Sequence, residues 1–322
     1  TWWPDPLRGL AIFLWANLTR QKTIAIPTLF FGKTFEFSLP WYNTLAWVFL
    51  TVPPVTLLII LFGLAATMAS LGRVGNREVP DAGETKDEGQ KSFDSSLAWL
   101  LLLNALTLLV IRALPNAPGH DGERQMLGCF PFLACMAGIG AEAVRRQIAA
   151  RVPAVIANLF TVGLVAAALV WAGAAVWHYR PAPLSYYTEL VGGLRGACRL
   201  GLEPAYYWDA LDDKLLDWLN SHTGRDEKVR FCAYFDSQRY LREWGKLRVK
   251  MLPHEPGVWR WYVLQNRPGP FVTRPYDRWL AEHGHAAYTK DLDGVPLIWI
   301  FPFDEYEQAI RQTKSGEDAA GP

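Results

Sequence analysis

Four stretches of this 322-residue chain, all within its first 180 residues, are apolar for long enough to cross a lipid bilayer. The hydrocarbon core of a bilayer takes about 20 residues of helix. Hydrocarbon admits only helices and closed barrels, because every backbone polar group must be satisfied internally. The runs cover residues 41–71, 97–114, 126–143 and 155–177. The first carries Pro53-Pro54, which must kink it or leave its opening turns at the interface. The second is nearly all Leu, interrupted by Asn104, which reads as an interhelical hydrogen bond. The third holds Gly128, Gly138 and Gly140, and such small residues suit a helix packed tightly against others. The expected fold is therefore an α-helical membrane bundle of about four spans, followed by a small α/β extracytoplasmic domain.

Basic residues give the bundle a direction. Arg73, Arg77, Lys86 and Lys91 follow the first run, and Arg145, Arg146 and Arg151 follow the third. The intervening loop 115–125 carries only Arg124. Both basic loops fall on one side, the cytoplasm, which leaves residues 1–40, the 115–125 loop and everything after His178 outside. Residues 7–18 are apolar but too short to cross, so they read as an interfacial helix, and residues 26–40 lead back into the first span. The expected divisions are an outer interfacial segment (1–40), the transmembrane bundle (41–180), a soluble α/β domain (181–314) and a disordered tail (315–322). The charged 73–94 stretch reads as a flexible loop.

Past residue 181 the pattern alternates. Residues 209–220 have helical apolar spacing, and 275–283 and 304–312 also read as helices. Residues 229–235, 247–252, 259–264 and 295–301 are rich in β-branched and aromatic side chains and read as strands. Net charge is +1, which argues against nucleic acid, since phosphate binding needs a basic face. Cys129 and Cys135 read as small core residues, while Cys198 and Cys232 leave one disulfide open.

The densest polar chemistry near the bundle is His120-Asp121-Gly122-Glu123-Arg124. Arg124 can clamp a phosphate bidentately, and His120 with Asp121 can position or polarise a substrate. A second reading is a polar loop that caps the third helix, with Asp121 as N-cap and Glu123 in the first turn. His283-Gly284-His285 lacks a third ligand at metal spacing, and a helix end capped by glycine accounts for it. Tyr186-Tyr187 and Tyr206-Tyr207-Trp208 can stack on sugars, sit at headgroups or fill a core.

Four segments carry a resemblance to a known family. They are Leu39-Pro40-Trp41-Tyr42 with the Pro53-Pro54 span, the 120–124 loop, Tyr186-Tyr187-Thr188-Glu189-Leu190-Val191-Gly192-Gly193, and Glu203-Pro204-Ala205-Tyr206-Tyr207-Trp208-Asp209. Together they resemble the C-terminal part of bacterial membrane glycosyltransferases of the dolichyl-phosphate-mannose–protein mannosyltransferase type, the GT-C superfold. The resemblance implies protein glycosylation in the bacterial inner membrane. A mannose-like sugar would pass from a polyprenyl-phosphate donor to an acceptor protein or glycan on the extracytoplasmic face. It names no certain cofactor, only that lipid-linked sugar as donor substrate, and it places His120, Asp121 and Arg124 near the donor phosphate. The family's acidic base lies in a first outer loop. Because residue 1 is Thr and no signal peptide is visible, that base is expected upstream of Thr1. The competing expectation is a non-catalytic membrane anchor whose outer α/β domain binds a partner or glycan.

Overall fold

The computed structural model describes residues 5–18, 26–75, 95–120, 122–180, 182–233, 237–251 and 259–319. The chain divides into two compact units. One gathers the helix α1 (Pro6–Leu18), the chain from Leu39 to Ala175 and the short stretch Thr188–Leu190. The other gathers a hairpin of β1 (Thr28–Phe30) and β2 (Lys33–Phe35), the segment Val176–Tyr187 and the chain from Val191 onward.

In the first unit the opening apolar run is two helices, α2 (Asn43–Thr51) and α3 (Pro54–Gly75). The break falls at Val52, which precedes Pro53 and adopts φ −90°, ψ 127°. The proline ring disfavours helical geometry in the residue before it, so the chain leaves the helix there. The helices α4 (Ser95–Ala113), α5 (Phe130–Ala149) and α6 (Ala154–His178) follow. Four segments are long and apolar enough to span a membrane: Pro54–Gly72, Ser96–Ala113, Gly122–Ala149 and Ala154–His178. The third extends beyond the expected 126–143, and Arg145 and Arg146 sit in its last helical turns rather than in a loop. There both pair with Glu142, at 2.6 and 2.7 Å. The other basic stretch, 73–94, lies mostly outside the described residues.

Contact between α3 and α5 rests on two glycines. A Cβ on Gly63 would stand 1.8 Å from the Met136 carbonyl oxygen, and one on Gly140 2.0 Å from that of Ile59. Of the glycines singled out in the third run, Gly140 lies in this crossing, Gly128 faces the Leu108 side chain and Gly138 meets open space. Asn104 corrects an expectation: its amide donates to the Leu100 carbonyl of its own helix, at 2.8 Å, and not to a neighbouring helix. That exchange of a side chain for an i−4 carbonyl satisfies a polar group locally.

The second unit is built on a mixed five-stranded sheet in the order β4-β3-β5-β7-β6. Its strands are β3 (Lys228–Phe231), β4 (Lys250–Met251), β5 (Trp261–Gln265), β6 (Tyr288–Leu292) and β7 (Val295–Pro302). β3 runs parallel to β4 and β5, and β7 runs antiparallel to β5 and β6. Every residue of β5 is buried, as a central strand covered on both faces requires. Around it lie α7 (Gly193–Arg199), α8 (Asp213–His222), α9 (Ser237–Glu243), α10 (Pro275–His283) and α11 (Phe303–Ala319). The core joins Trp259, Tyr262, Leu264, Phe271, Leu280, Phe301 and Tyr306.

Several elements differ from the sequence reading. The 209–220 helix begins at Asp213, because Asp212 caps it by accepting from the Leu215 N–H at 3.0 Å. The strand β6 was not expected. It is joined to β7 by Asp293-Gly294, both at positive φ (52° and 69°), the two-residue turn that favours this pair. Within the segment 26–40, residues 28–35 form the hairpin β1–β2, and the chain up to Ser38 groups with the second unit, while Leu39 and Pro40 group with the first. The last helix continues past Ser315, where a disordered tail was expected, to Ala319.

Candidate functional site

The charged loop stands at one end of the first unit, between α4 and α5. Arg112, in the last turn of α4, donates its guanidinium to the Pro118 carbonyl and so folds the loop back on the helix end. Gly119 is pressed against Leu39, where a Cβ would meet that side chain at 2.4 Å. Residues 122–129 form a 3-10 helix, in which side chains three apart eclipse one another. Met126 and Cys129 are thereby turned inward, at 1% and 0% exposure. Arg124 and Leu127 form the outward row and are exposed. At the foot of this helix Gly122 sits over the Trp47 ring, 3.7 Å from where a Cβ would stand.

His120 is half-buried, and its Nδ1 is shielded from solvent. None of His120, Glu123 and Arg124 is free of interactions. Asp121 lies outside the described residues, so its roles as N-cap or substrate contact are not placed. The loop thus holds His120 half-buried and Arg124 exposed. It adds Arg112 as a second guanidinium, which sequence reasoning missed. The signal for it was a lone arginine ending an otherwise apolar helix, where a cation also favours the helix dipole. Chemically, the loop offers the Arg112 and Arg124 guanidiniums and the His120 imidazole alongside the Glu123 carboxylate, a set that includes the bidentate donors an oxyanion takes.

The other candidates resolve structurally. His283 faces the Trp279 carbonyl at 3.3 Å, and His285 Nδ1 approaches the Glu305 carboxylate at 3.5 Å. Among the described residues no group of three His, Cys, Asp or Glu could hold a metal. Gly284 caps α10 with ordinary φ −74°, and a Cβ there would stand 2.7 Å from the Leu280 carbonyl. All four cysteines are free, and burial pushes the Cys198 and Cys232 thiols up to about 11, which favours the protonated thiol.

Within the second unit Glu203 is fully buried and holds three elements together. Its Oε1 accepts from the Leu29 N–H at 3.0 Å and the Gly269 N–H at 3.1 Å, and its Oε2 from Arg267 Nε at 3.0 Å. Burial raises the pKa of its carboxyl, with Arg267 opposing that rise. The Tyr187 hydroxyl donates to the Glu203 carbonyl at 2.7 Å, so Tyr187 and Glu203 are parts of a core and not of a ligand surface. Tyr206, also buried, lies beneath the Arg267 guanidinium at 5.4 Å.

Comparison with protein-family models, with curated proteins and with solved structures finds no match.

Proposed function

We propose that this chain is part of a membrane glycosyltransferase that moves a sugar, mannose-like, from a polyprenyl-phosphate donor to a protein or glycan acceptor on the extracytoplasmic face. The observation that carries the reading is the loop of residues 114–129. It holds Arg124 on the exposed row of a 3-10 helix, and the same loop carries His120 and is tied by its Pro118 carbonyl to Arg112 of α4. A lipid-linked phosphate presents its charge where hydrocarbon meets water, and a guanidinium at the end of a spanning helix meets it there.

On this reading Arg124 clamps the donor phosphate and stabilises the charge that builds on it as the sugar leaves. His120 and Asp121 orient the donor. The general base belongs to an acidic residue of a first outer loop, as the family resemblance implies. The four apolar helices hold the chain in a bacterial inner membrane, with the α/β unit outside.

The test is transfer of radiolabelled sugar from a polyprenyl-phosphate donor by the full-length protein. Arg124→Ala should lower transfer by about 100-fold or more, the scale of losing one charge-stabilising group, with expression and thermal stability unchanged. Arg124→Lys should recover only part of it, because an ammonium lacks the bidentate fork. Near-normal transfer by Arg124→Ala would rule out the clamp.

A further inference from the structure

The second unit carries a cleft of about 780 Å³, bounded by the outer flank of α8, the chain at 246–248 and the start of β6. Its chemistry follows from the amphipathic pattern of α8. Leu215, Leu216 and Leu219 are buried, which turns Lys214, Asp217, Trp218 and Ser221 outward along one flank, at helical spacing. All four line the cleft.

Two aromatic rings form its fixed surface. Trp218 stacks on the His222 ring with centroids 4.3 Å apart and meets Trp261 edge-on at 5.0 Å. Trp261 is itself anchored, its indole N–H donating to the His222 carbonyl at 2.9 Å. Tyr288, at the start of β6, stands beside Trp218 with centroids 5.4 Å apart. The opposite wall is tied to the helix by Asn220. Its amide nitrogen donates to the Lys246 carbonyl, and its amide oxygen accepts from the Arg248 N–H, both at 2.8 Å. Both ends of that amide are therefore spent on shaping the cleft, which stands ready before any ligand arrives.

The charged groups facing the cleft are uncommitted. Among the described residues no hydrogen bond or ion pair engages the Asp217 carboxylate, the Lys214 ammonium or the Arg248 guanidinium. Their neighbours Lys246 and Asp213, by contrast, pair with each other at 2.7 Å. A cleft this open, with charges along its rim, does not suit an apolar ligand, which needs an enclosed and mostly hydrophobic site. A carboxylate among the cations disfavours a polyanion. A lone phosphate would leave both rings without a purpose. What matches the whole set is a molecule with a flat C–H face for Trp218 and Tyr288 and adjacent hydroxyls for Asp217 and Arg248.

We propose that this cleft binds a carbohydrate through Trp218, Tyr288, Asp217 and Arg248. The proposal goes beyond the transferase reading and does not depend on it. A protein made inactive in transfer by Arg124→Ala would still bind the sugar.

The experiment is a titration of the full-length protein in detergent with neutral oligosaccharides (mannotriose, cellotriose and chitotriose), followed by saturation-transfer NMR and calorimetry. Inorganic phosphate serves as a separate arm. The expected result is saturable binding of at least one trisaccharide, weakened tenfold or more by Asp217→Asn and by Arg248→Ala, whose melting temperatures match the parent. Both side chains are exposed, so neither change disturbs the core. Absence of saturable binding by all three sugars would overturn the proposal. So would binding that the two variants leave unchanged, or binding of phosphate without any sugar.

Discussion

Asp277 shows how a residue that looks ordinary in sequence acquires its behaviour from the fold. In the Pro-Tyr-Asp-Arg opening of α10 it reads as an acid of a first turn, favourable to the helix dipole. In the structure it is wholly buried, receives the Tyr262 hydroxyl at 2.7 Å and pairs with Arg274 at 3.1 Å. Burial pushes its carboxyl up to about 6, against the pull of Arg274 and Tyr262. A carboxyl whose pKa is raised in the folded state contributes stability fully below its unfolded value, near 4. That contribution is lost as pH rises through about 6. The expected outcome is that Asp277→Asn gains on the parent by up to about 3 kcal/mol between pH 4 and pH 7, since each tenfold change in proton affinity is worth about 1.4 kcal/mol. Denaturant titrations at several pH values check this, and a stability difference independent of pH would contradict it. Neither this behaviour nor the Glu203 network was legible in the sequence. Each depends on a partner outside its own element: Tyr262 of β5 for Asp277, and Leu29 and Arg267 for Glu203.

At the scale of elements, legibility followed how local the signal was. The helix at 275–283 is legible with its observed bounds, because Pro at its start, an acid in its first turn and His at its end are all local cues. The break between α2 and α3 was readable from Pro53-Pro54 alone. The strand β6 was missed because its side chains alternate between half-buried and exposed, which leaves a weak apolar pattern at a sheet edge. The Asp293-Gly294 turn was the cue that could have found it. The α3–α5 crossing was half legible. The glycine-rich run pointed to α5, but Gly63 on α3 is one glycine in an apolar helix until the partner is known. Here the prediction separates two glycines of one helix. Gly140→Leu drives a side chain into the Ile59 backbone, which cannot step aside, and should cost at least the roughly 1–3 kcal/mol of an overpacked core. Gly138→Ala meets nothing within 4 Å and should leave the melting temperature in detergent unchanged. Equal effects at the two positions would contradict this packing.

For the molecule as a whole, the division into an apolar helical unit and a mixed-sheet unit follows from composition. The front of the chain carries four long apolar helices, and the rear alternates strand and helix. Across the four apolar segments burial is sparse, falling to 6% of the residues of the most apolar stretch in α6 against 28% in α3. A soluble bundle could not leave that much apolar surface in water, whereas lipid covers it without penalty. What composition does not supply is the direction of insertion, for which the signal is the Arg and Lys near the ends of the spans, at 73–91 and at 145–151. On that direction depends the placement of the 114–129 loop and the carbohydrate cleft outside the cytoplasm. The most direct measurement is a paired reporter fused after Pro322 and expressed in a bacterial inner membrane. An active alkaline phosphatase and a dark green fluorescent protein are expected at that position, and a fluorescent fusion with an inactive phosphatase would place the second unit in the cytoplasm and overturn this orientation.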